Sequence, residues 1–186
     1  KHLESVWYAA FAENDREIIT ASSDSTVRRW VARTGQPMGE PFDVEGGFVY
    51  GAISPDQKVI FCVGGDRKAR IWDLKTHQRL TLPFTPDGPV SNSAFSPGGQ
   101  LLVTVSGNAK AQLWDTQTGQ LVASFEHSSG TIQHTAFSPD GRRFITAGSD
   151  GTARIWQLPT DHRPVEDLVL EAEFLAGHKI DDNGDT

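Results

Sequence analysis

A single cysteine, Cys62, is all the sulfur chemistry that the 186 residues offer for crosslinking, so no internal disulfide staples the chain, as fits a reducing compartment. No run of about 18 apolar residues occurs, which removes membrane insertion as a helical span. The opening KHLESVWYAA lacks a signal-peptide pattern, and Lys1 stands where an initiator Met would, so the segment reads as a piece of a longer, cytoplasmic chain. Excess positive charge is missing too. The net charge is −7, and residues 161–186 hold 8 acidic against 2 basic side chains, while residues 1–160 hold 16 against 15. A body so near neutrality lacks the basic surface that nucleic acid or anionic lipid would favour. Neither a Gly-rich phosphate loop, a dinucleotide fingerprint nor a G-x-S-x-G elbow is present. His2, His77, His127, His134, His162 and His178 show no metal-ligand spacing, so neither metal nor cofactor is expected.

What the sequence does have is a repeat. Trp30, Trp72, Trp114 and Trp156 stand 42 residues apart, a period that signals a propeller or solenoid. Ala10, Ala52, Ala94 and Ala136 keep the same step, followed by Phe11, Ile53, Phe95 and Phe137, and six residues before each tryptophan stand Asp24, Asp66, Asn108 and Asp150. Within one period the spacing predicts strands at Val90–Ser96, Leu101–Val105, Ala109–Asp115 and Gln120–Phe125, cut by Pro97-Gly98-Gly99, Ser106-Gly107-Asn108 and Thr118-Gly119. Ala111 and Leu113 fall on one face and Gln112 on the Trp114 face, so both faces need cover and each sheet must sit between neighbours.

These residues resemble WD40 repeats. Phe95-Ser96-Pro97-Gly98-Gly99 and Phe137-Ser138-Pro139-Asp140-Gly141 are similar to the turn after the first strand of that family. Residues Ser149 to Trp156 resemble its third-strand signature, and Trp72-Asp73 and Trp114-Asp115 are the dipeptide that names it. Trp30-Val31 and Trp156-Gln157 depart from it, as does Asn108. Thr34-Gly35-Gln36 and Thr118-Gly119-Gln120 resemble the turn common in bacterial members. The resemblance, over residues 5–158, implies an all-β fold: a partial propeller of four blades, as an open arc or part of a larger ring. The blades are expected at about 1–42, 43–84, 85–126 and 127–158, with a linker and acidic helical tail over 159–186.

The family's blades carry a hydrogen-bonded chain of His, Ser/Thr, Asp and Trp. The resemblance gives the fourth repeat the full set, His127, Thr146, Asp150 and Trp156. The first keeps Thr20, Asp24 and Trp30, with Lys1 in the histidine column. The second keeps Asp66 and Trp72, with Asp43 and Cys62 in the His and Thr columns, and the third keeps Thr104, Asn108 and Trp114 with Thr85. The fourth blade is therefore expected to have the most rigid loop. His127, Thr146 and Asp150 also have the makings of a nucleophilic triad, but parts of the set recur in every blade, and a site repeated per blade is scaffold. Cys62 reads as a small buried hydrophobe.

After Trp156 the register breaks at Pro159 and Pro164. Val165, Leu168, Val169, Ala172 and Leu175 then form a helical stripe closed by Gly177, with a displaced repeat opening at Gly177-His178 as the alternative. Asp181, Asn183 and Asp185 imitate the start of a calcium loop, but Thr186 stands where its glycine belongs, so a solvated acidic terminus is expected. Four blades should leave apolar faces on the terminal sheets. Further blades N-terminal to this segment, or a second copy of the chain, would cover them. Two columns at the mouth of the first strand vary between repeats: Trp7, Val49, Ser91 and Gln133, then Tyr8, Tyr50, Asn92 and His134. Trp7, Tyr8, Tyr50, Asn92, Gln133 and His134 are the candidate rim for a protein or peptide partner, the aromatics alternatively packing between blades. Arg28, Arg70 and Arg154 read as ordinary solvated or salt-bridged positions, with a basic stripe as the alternative. The function expected is a non-catalytic interaction scaffold of a bacterial signalling or multidomain protein; the alternative is an enzyme, a hydrolase or lyase with its site at the propeller mouth.

Overall fold

A computed structural model of the chain describes residues 1–13, 15–48 and 50–158. The helical stripe over 165–175, the acidic terminus, His162, His178 and Val49 lie outside the described residues. Every regular element among those described is a strand, gathered into four antiparallel sheets. The first holds β1 (Val6–Ala12), β2 (Glu17–Ser22), β3 (Thr26–Val31) and β4 (Phe42–Asp43). The second holds β5 (Tyr50–Ile53), β6 (Val59–Val63) and β7 (Ala69–Asp73). The third holds β8 (Val90–Phe95), β9 (Leu101–Ser106), β10 (Lys110–Asp115) and β11 (Leu121–Glu126), each end within one residue of the strands read from the sequence. The fourth holds β12 (Ile132–Phe137), β13 (Arg143–Gly148) and β14 (Ala153–Gln157). Outer strands are weak where proline intervenes, because a proline cannot donate to the ladder. Residues 78–84, around Pro83, join the second sheet only through bridges at Trp72↔Arg79 and Ala69↔Phe84.

The 42-residue step is a step in register. Ala10 pairs with Ile19, Ala52 with Phe61, Ala94 with Val103 and Ala136 with Ile145. The chain divides into two compact units, residues 1–85 and from Pro86 onward. In the first, Ile19, Ala21 and Val27 of the first sheet pack with Ile60, Cys62 and Trp72 of the second. In the second, Val103, Val105, Ala111 and Leu113 pack with Phe144 and Trp156. Each fully buried Phe, Leu or Ile contributes about 2–3 kcal/mol of transfer free energy, the term that holds sheet on sheet. The polarity is the same in both units: the tryptophan face of one sheet covers the opposite face of its predecessor. Phe11, on the tryptophan face of the first sheet, is 61% exposed, and Ile145 and Ile155, on the opposite face of the fourth, are 46% and 51% exposed.

Turns repeat as strictly as strands. Ser25, Arg67, Ala109 and Gly151 occupy one column, all left-handed with φ of 65°, 61°, 65° and 78°. Only the last is the residue that this conformation favours. The Asp of each Trp-Asp pair explains itself in the next turn. Asp73 Oδ1 accepts the N–H groups of Lys75 (2.9 Å) and Thr76 (2.6 Å), and Asp115 Oδ1 those of Gln117 (3.0 Å) and Thr118 (2.7 Å).

Candidate functional site

In the fourth sheet β13 presents Thr146, β14 presents Trp156, and the turn between them presents Asp150. The Trp156 indole N–H donates to Thr146 Oγ1 (2.8 Å), Thr146 Oγ1 lies 2.7 Å from His127 Nε2, and His127 Nδ1 lies 3.1 Å from Asp150 Oδ2. Donor logic runs one way along this chain: the indole N–H to the hydroxyl, the hydroxyl to Nε2, and Nδ1–H to the carboxylate. Hydrogen bonds from the Thr152 hydroxyl first, then the Thr152 N–H and His127, outweigh burial and hold the Asp150 carboxyl well below the usual range. The His127 side chain and Thr146 are fully buried. A hydroxyl with no exposed surface meets no substrate, so this constellation is structural chemistry rather than a nucleophilic triad.

The first sheet corrects the sequence reading. His2, not Lys1, completes its set: Nε2 lies 2.7 Å from Thr20 Oγ1, Nδ1 lies 3.0 Å from Asp24 Oδ2, and the Trp30 indole donates to Thr20 Oγ1 at 2.7 Å. Lys1 is exposed. The fourth blade is thus not alone in holding the complete chain. The connection from His2 to Val6 is one residue shorter than that from His127 to Ile132, and Val6 and Ile132 hold the same register against Ser22 and Gly148. A fixed step of 42 therefore lands one residue early. Burial opposes ionisation of Asp24, but the hydroxyl and N–H of Thr26, the Leu3 N–H and His2 outweigh it, again leaving a carboxyl well below the ordinary range.

The second sheet solves the same problem without histidine. Asp43 does not take the histidine place: it is exposed on β4, opposite Thr26, while Val44 beside it is buried. Asp66 is held instead by Arg70, whose Nη2 donates to Oδ2 at 2.7 Å and Nη1 to Oδ1 at 3.2 Å. The Trp72 indole N–H finds no oxygen acceptor and faces the Cys62 sulfur. Burial pushes that thiol up to about 12, against the weaker pull of the Trp72 N–H and Arg70, so it stays protonated and unreactive. Arg28 and Arg154 likewise lie beside their turn carboxylates, at 4.0 Å from Asp24 and 3.8 Å from Asp150, so the arginine column is a set of ion pairs. In the third sheet the column holds Gln112, four residues after a neutral Asn108, and its Oε1 accepts the Asp87 N–H at 2.6 Å. Thr85 is exposed and enters no such chain, Ser106 donates to Asn108, and the Trp114–Thr104 bond remains at 2.9 Å.

At the mouth of the first strands lies a β-bulge, with register shifts between Val6 and Tyr8, Val90 and Asn92, and Ile132 and His134. Trp7, Ser91 and Gln133 are the inserted residues, and a bulge re-aims its side chain. In the first unit Trp7 is 62% exposed and its indole N–H donates to Ser23 Oγ at 2.5 Å. Tyr8 is half-buried, its ring 6.4 Å from Phe48 and its hydroxyl accepting the Ile53 N–H at 3.1 Å; Tyr50 is half-buried opposite Val63. In the second unit Asn92 Oδ1 accepts the Thr135 N–H at 3.4 Å, while Gln133 and His134 are exposed. Among the described residues no group of three or more His, Cys, Asp or Glu is gathered to hold a metal ion, and no helix is long and apolar enough to cross a membrane.

Antiparallel blade sheets repeated in register, each with a tryptophan on its third strand bonded to or facing the strand before it, define a WD-repeat protein of the β-propeller class. A family model described as WD domain, G-beta repeat, matches residues 1–30, 45–73, 78–115 and 119–157. The chain belongs to the WD40 repeat family, whose repeats indicate a scaffold for protein–protein interaction. No curated protein matches the chain.

Proposed function

We propose that the chain is a non-catalytic scaffold whose strand-mouth bulges take a protein or peptide partner, the rim surface of the first unit being Trp7 with Tyr8 and Tyr50 behind it and that of the second unit Gln133, His134 and Asn92. The exposed indole of Trp7 carries this reading: a large aromatic, oriented by Ser23 and left uncovered, is the residue type enriched at binding hot spots. Tyr8 and Tyr50 support the rim from below, so Trp7→Ala is the clean perturbation. Pull-downs from cell extract with Trp7→Ala and with Gln133→Ala/His134→Ala should lose the proteins that the unaltered chain retains; undiminished recovery by both refutes the rim. The Thr-Gly-Gln turns at 34–36 and 118–120 support a place in a cytoplasmic bacterial multidomain protein, signalling proteins included. Exposed Phe11, Ile145 and Ile155 support cover by further blades preceding this segment or by a second copy. A monodisperse 20.3 kDa monomer in light scattering would count against both.

A further inference from the structure

The repeats supply an internal control for the space between neighbouring blades. In the second unit Leu101 and Leu113 belong to the packed interior facing the next sheet. Two steps of 42 earlier, in the first unit, the same columns hold Glu17 and Arg29. Arg29 donates to Glu17 Oε2 through Nε at 2.8 Å and Nη2 at 2.5 Å, with Glu17 only 7% exposed. An ion pair with its carboxylate buried, where the second repeat has Val59 and Ile71 and the third has leucines, gains little stability, because desolvating Glu17 offsets the attraction of the half-buried Arg29. Here it borders a cleft of about 520 Å³ between the first and second blades, a volume ordinary for ligand sites.

The cleft has an apolar floor of Ala12, Ile19 and Leu74, all buried, and charged walls. Two of its bases are already engaged, Arg29 by Glu17 and Lys58 by Asp56 at 3.3 Å. Its Asp73 is occupied by turn N–H groups. Arg29 takes only Glu17 Oε2, and Glu17 Oε1 and the Glu13 carboxylate accept no hydrogen bond from the described residues. Acceptor capacity therefore outnumbers the one lining base without a hydrogen-bonded carboxylate, Lys75, whose charge acts on Asp73. An apolar floor ending in free carboxylate oxygens suits a long aliphatic stem with a cationic head.

We propose that this cleft takes the lysine or arginine side chain of an extended partner peptide, the stem on Ala12, Ile19 and Leu74 and the head on Glu17 Oε1 and Glu13. This adds a second recognition surface to the scaffold, and it stands or falls apart from the rim. The bulge at Trp7 lies near the start of β1 and Ala12 closes the strand, so about 17 Å of extended chain separates the two. Loss of one surface therefore leaves the other intact.

The test is a ¹H–¹⁵N titration of the whole chain with blocked pentapeptides Gly-Gly-X-Gly-Gly, where X is Arg, Lys, Gln or Glu. The Arg and Lys peptides should give saturable shifts at the amides of Ala12, Gln57 and Leu74, and the Gln and Glu peptides none. Glu13→Gln should weaken binding about ten-fold, the loss of one charge-assisted contact. Glu17→Leu/Arg29→Leu, which installs the pair that the chain itself uses at 101 and 113, should fold and abolish binding, and Trp7→Ala should leave it unchanged. No saturable shift, preference for the Glu peptide, free L-arginine binding as tightly as the peptide, or full binding by the double leucine variant would each overturn the proposal.

Discussion

Replacing His2 by Ala tests whether the hydrogen-bonded chain of the first blade is what the structure makes it. The substitution removes the 2.7 Å contact to Thr20 Oγ1, the 3.0 Å contact to Asp24 and an edge contact with Trp30 at 6.1 Å between ring centroids. Asp24 keeps the Thr26 N–H and hydroxyl and the Leu3 N–H, with Arg28 at 4.0 Å, so its loss is cushioned. Thr20 keeps only the indole as donor, and its own proton loses its acceptor. A charge-assisted bond contributes about 1.5–3 kcal/mol and an orphaned buried hydroxyl costs about 1–3 kcal/mol, but water reaching the partly exposed Trp30 face returns part of each, which leaves about 2 kcal/mol. With a urea dependence of about 2 kcal/mol per molar, the unfolding midpoint followed by tryptophan fluorescence should fall by about 1 M. Lys1→Ala should not move it, since Lys1 is exposed. His127→Ala should cost more, about 3 kcal/mol, because its side chain is wholly buried and no water replaces it. A midpoint unchanged in His2→Ala, or equally lowered in Lys1→Ala, would refute the assignment.

Two further outcomes follow from the turns and their carboxylates. Ala109→Gly should raise stability by about 0.5–1 kcal/mol, seen as a higher urea midpoint, because Ala109 holds φ 65° where the fourth blade uses Gly151; a lower midpoint would show that the left-handed turn carries no strain. The carboxyls of Asp24, Asp56, Asp66, Asp73, Asp140 and Asp150 all sit below their ordinary range, so the unfolded chain binds more protons in acid. Their contribution is complete above about pH 5 and lost as pH falls through about 4 and lower, so urea midpoints should drop between about pH 5 and 3, and a midpoint that stays level would contradict the hydrogen bonds described.

The strands, the tryptophan columns and the register are legible in the sequence because each is a dense local pattern copied four times. What is not legible depends on loops or on partners across space. The place of His2 escapes a fixed count because one residue is absent between landmarks; counting back from the strand mouth at Val6 and Ile132 finds it. That Arg70 is salt-bridged is legible, but i,i+4 spacing on a strand does not announce that the partner is Asp66, brought back to it by the turn. Tyr8 and Trp7 are sequence neighbours of the same chemical type, yet the bulge sends one under the second blade and the other into solvent. Glu17 and Arg29 carry no signal of their own, since charged residues at strand positions usually mean a solvated face; the apolar residues of the next two repeats, Val59 and Ile71 and then Leu101 and Leu113, show that the position is interior.

The four blades together show what the polar chain is for. The turn carboxylate and the arginine four residues on occur together at Asp24 and Arg28, Asp66 and Arg70, and Asp150 and Arg154, and where the carboxylate becomes Asn108 the arginine becomes Gln112. Histidine joins the chain in two blades, is replaced by a closer arginine in one, and is missing where the turn is neutral. The constant demand is thus a turn that satisfies its own N–H groups without leaving a buried charge uncompensated, and the imidazole is one of several ways to meet it. Chemistry that is interchangeable from blade to blade holds loops in place, whereas the positions that differ for no structural reason, an uncovered indole at the bulge and an ion pair in an interior seam, are where this scaffold has room to recognise something else.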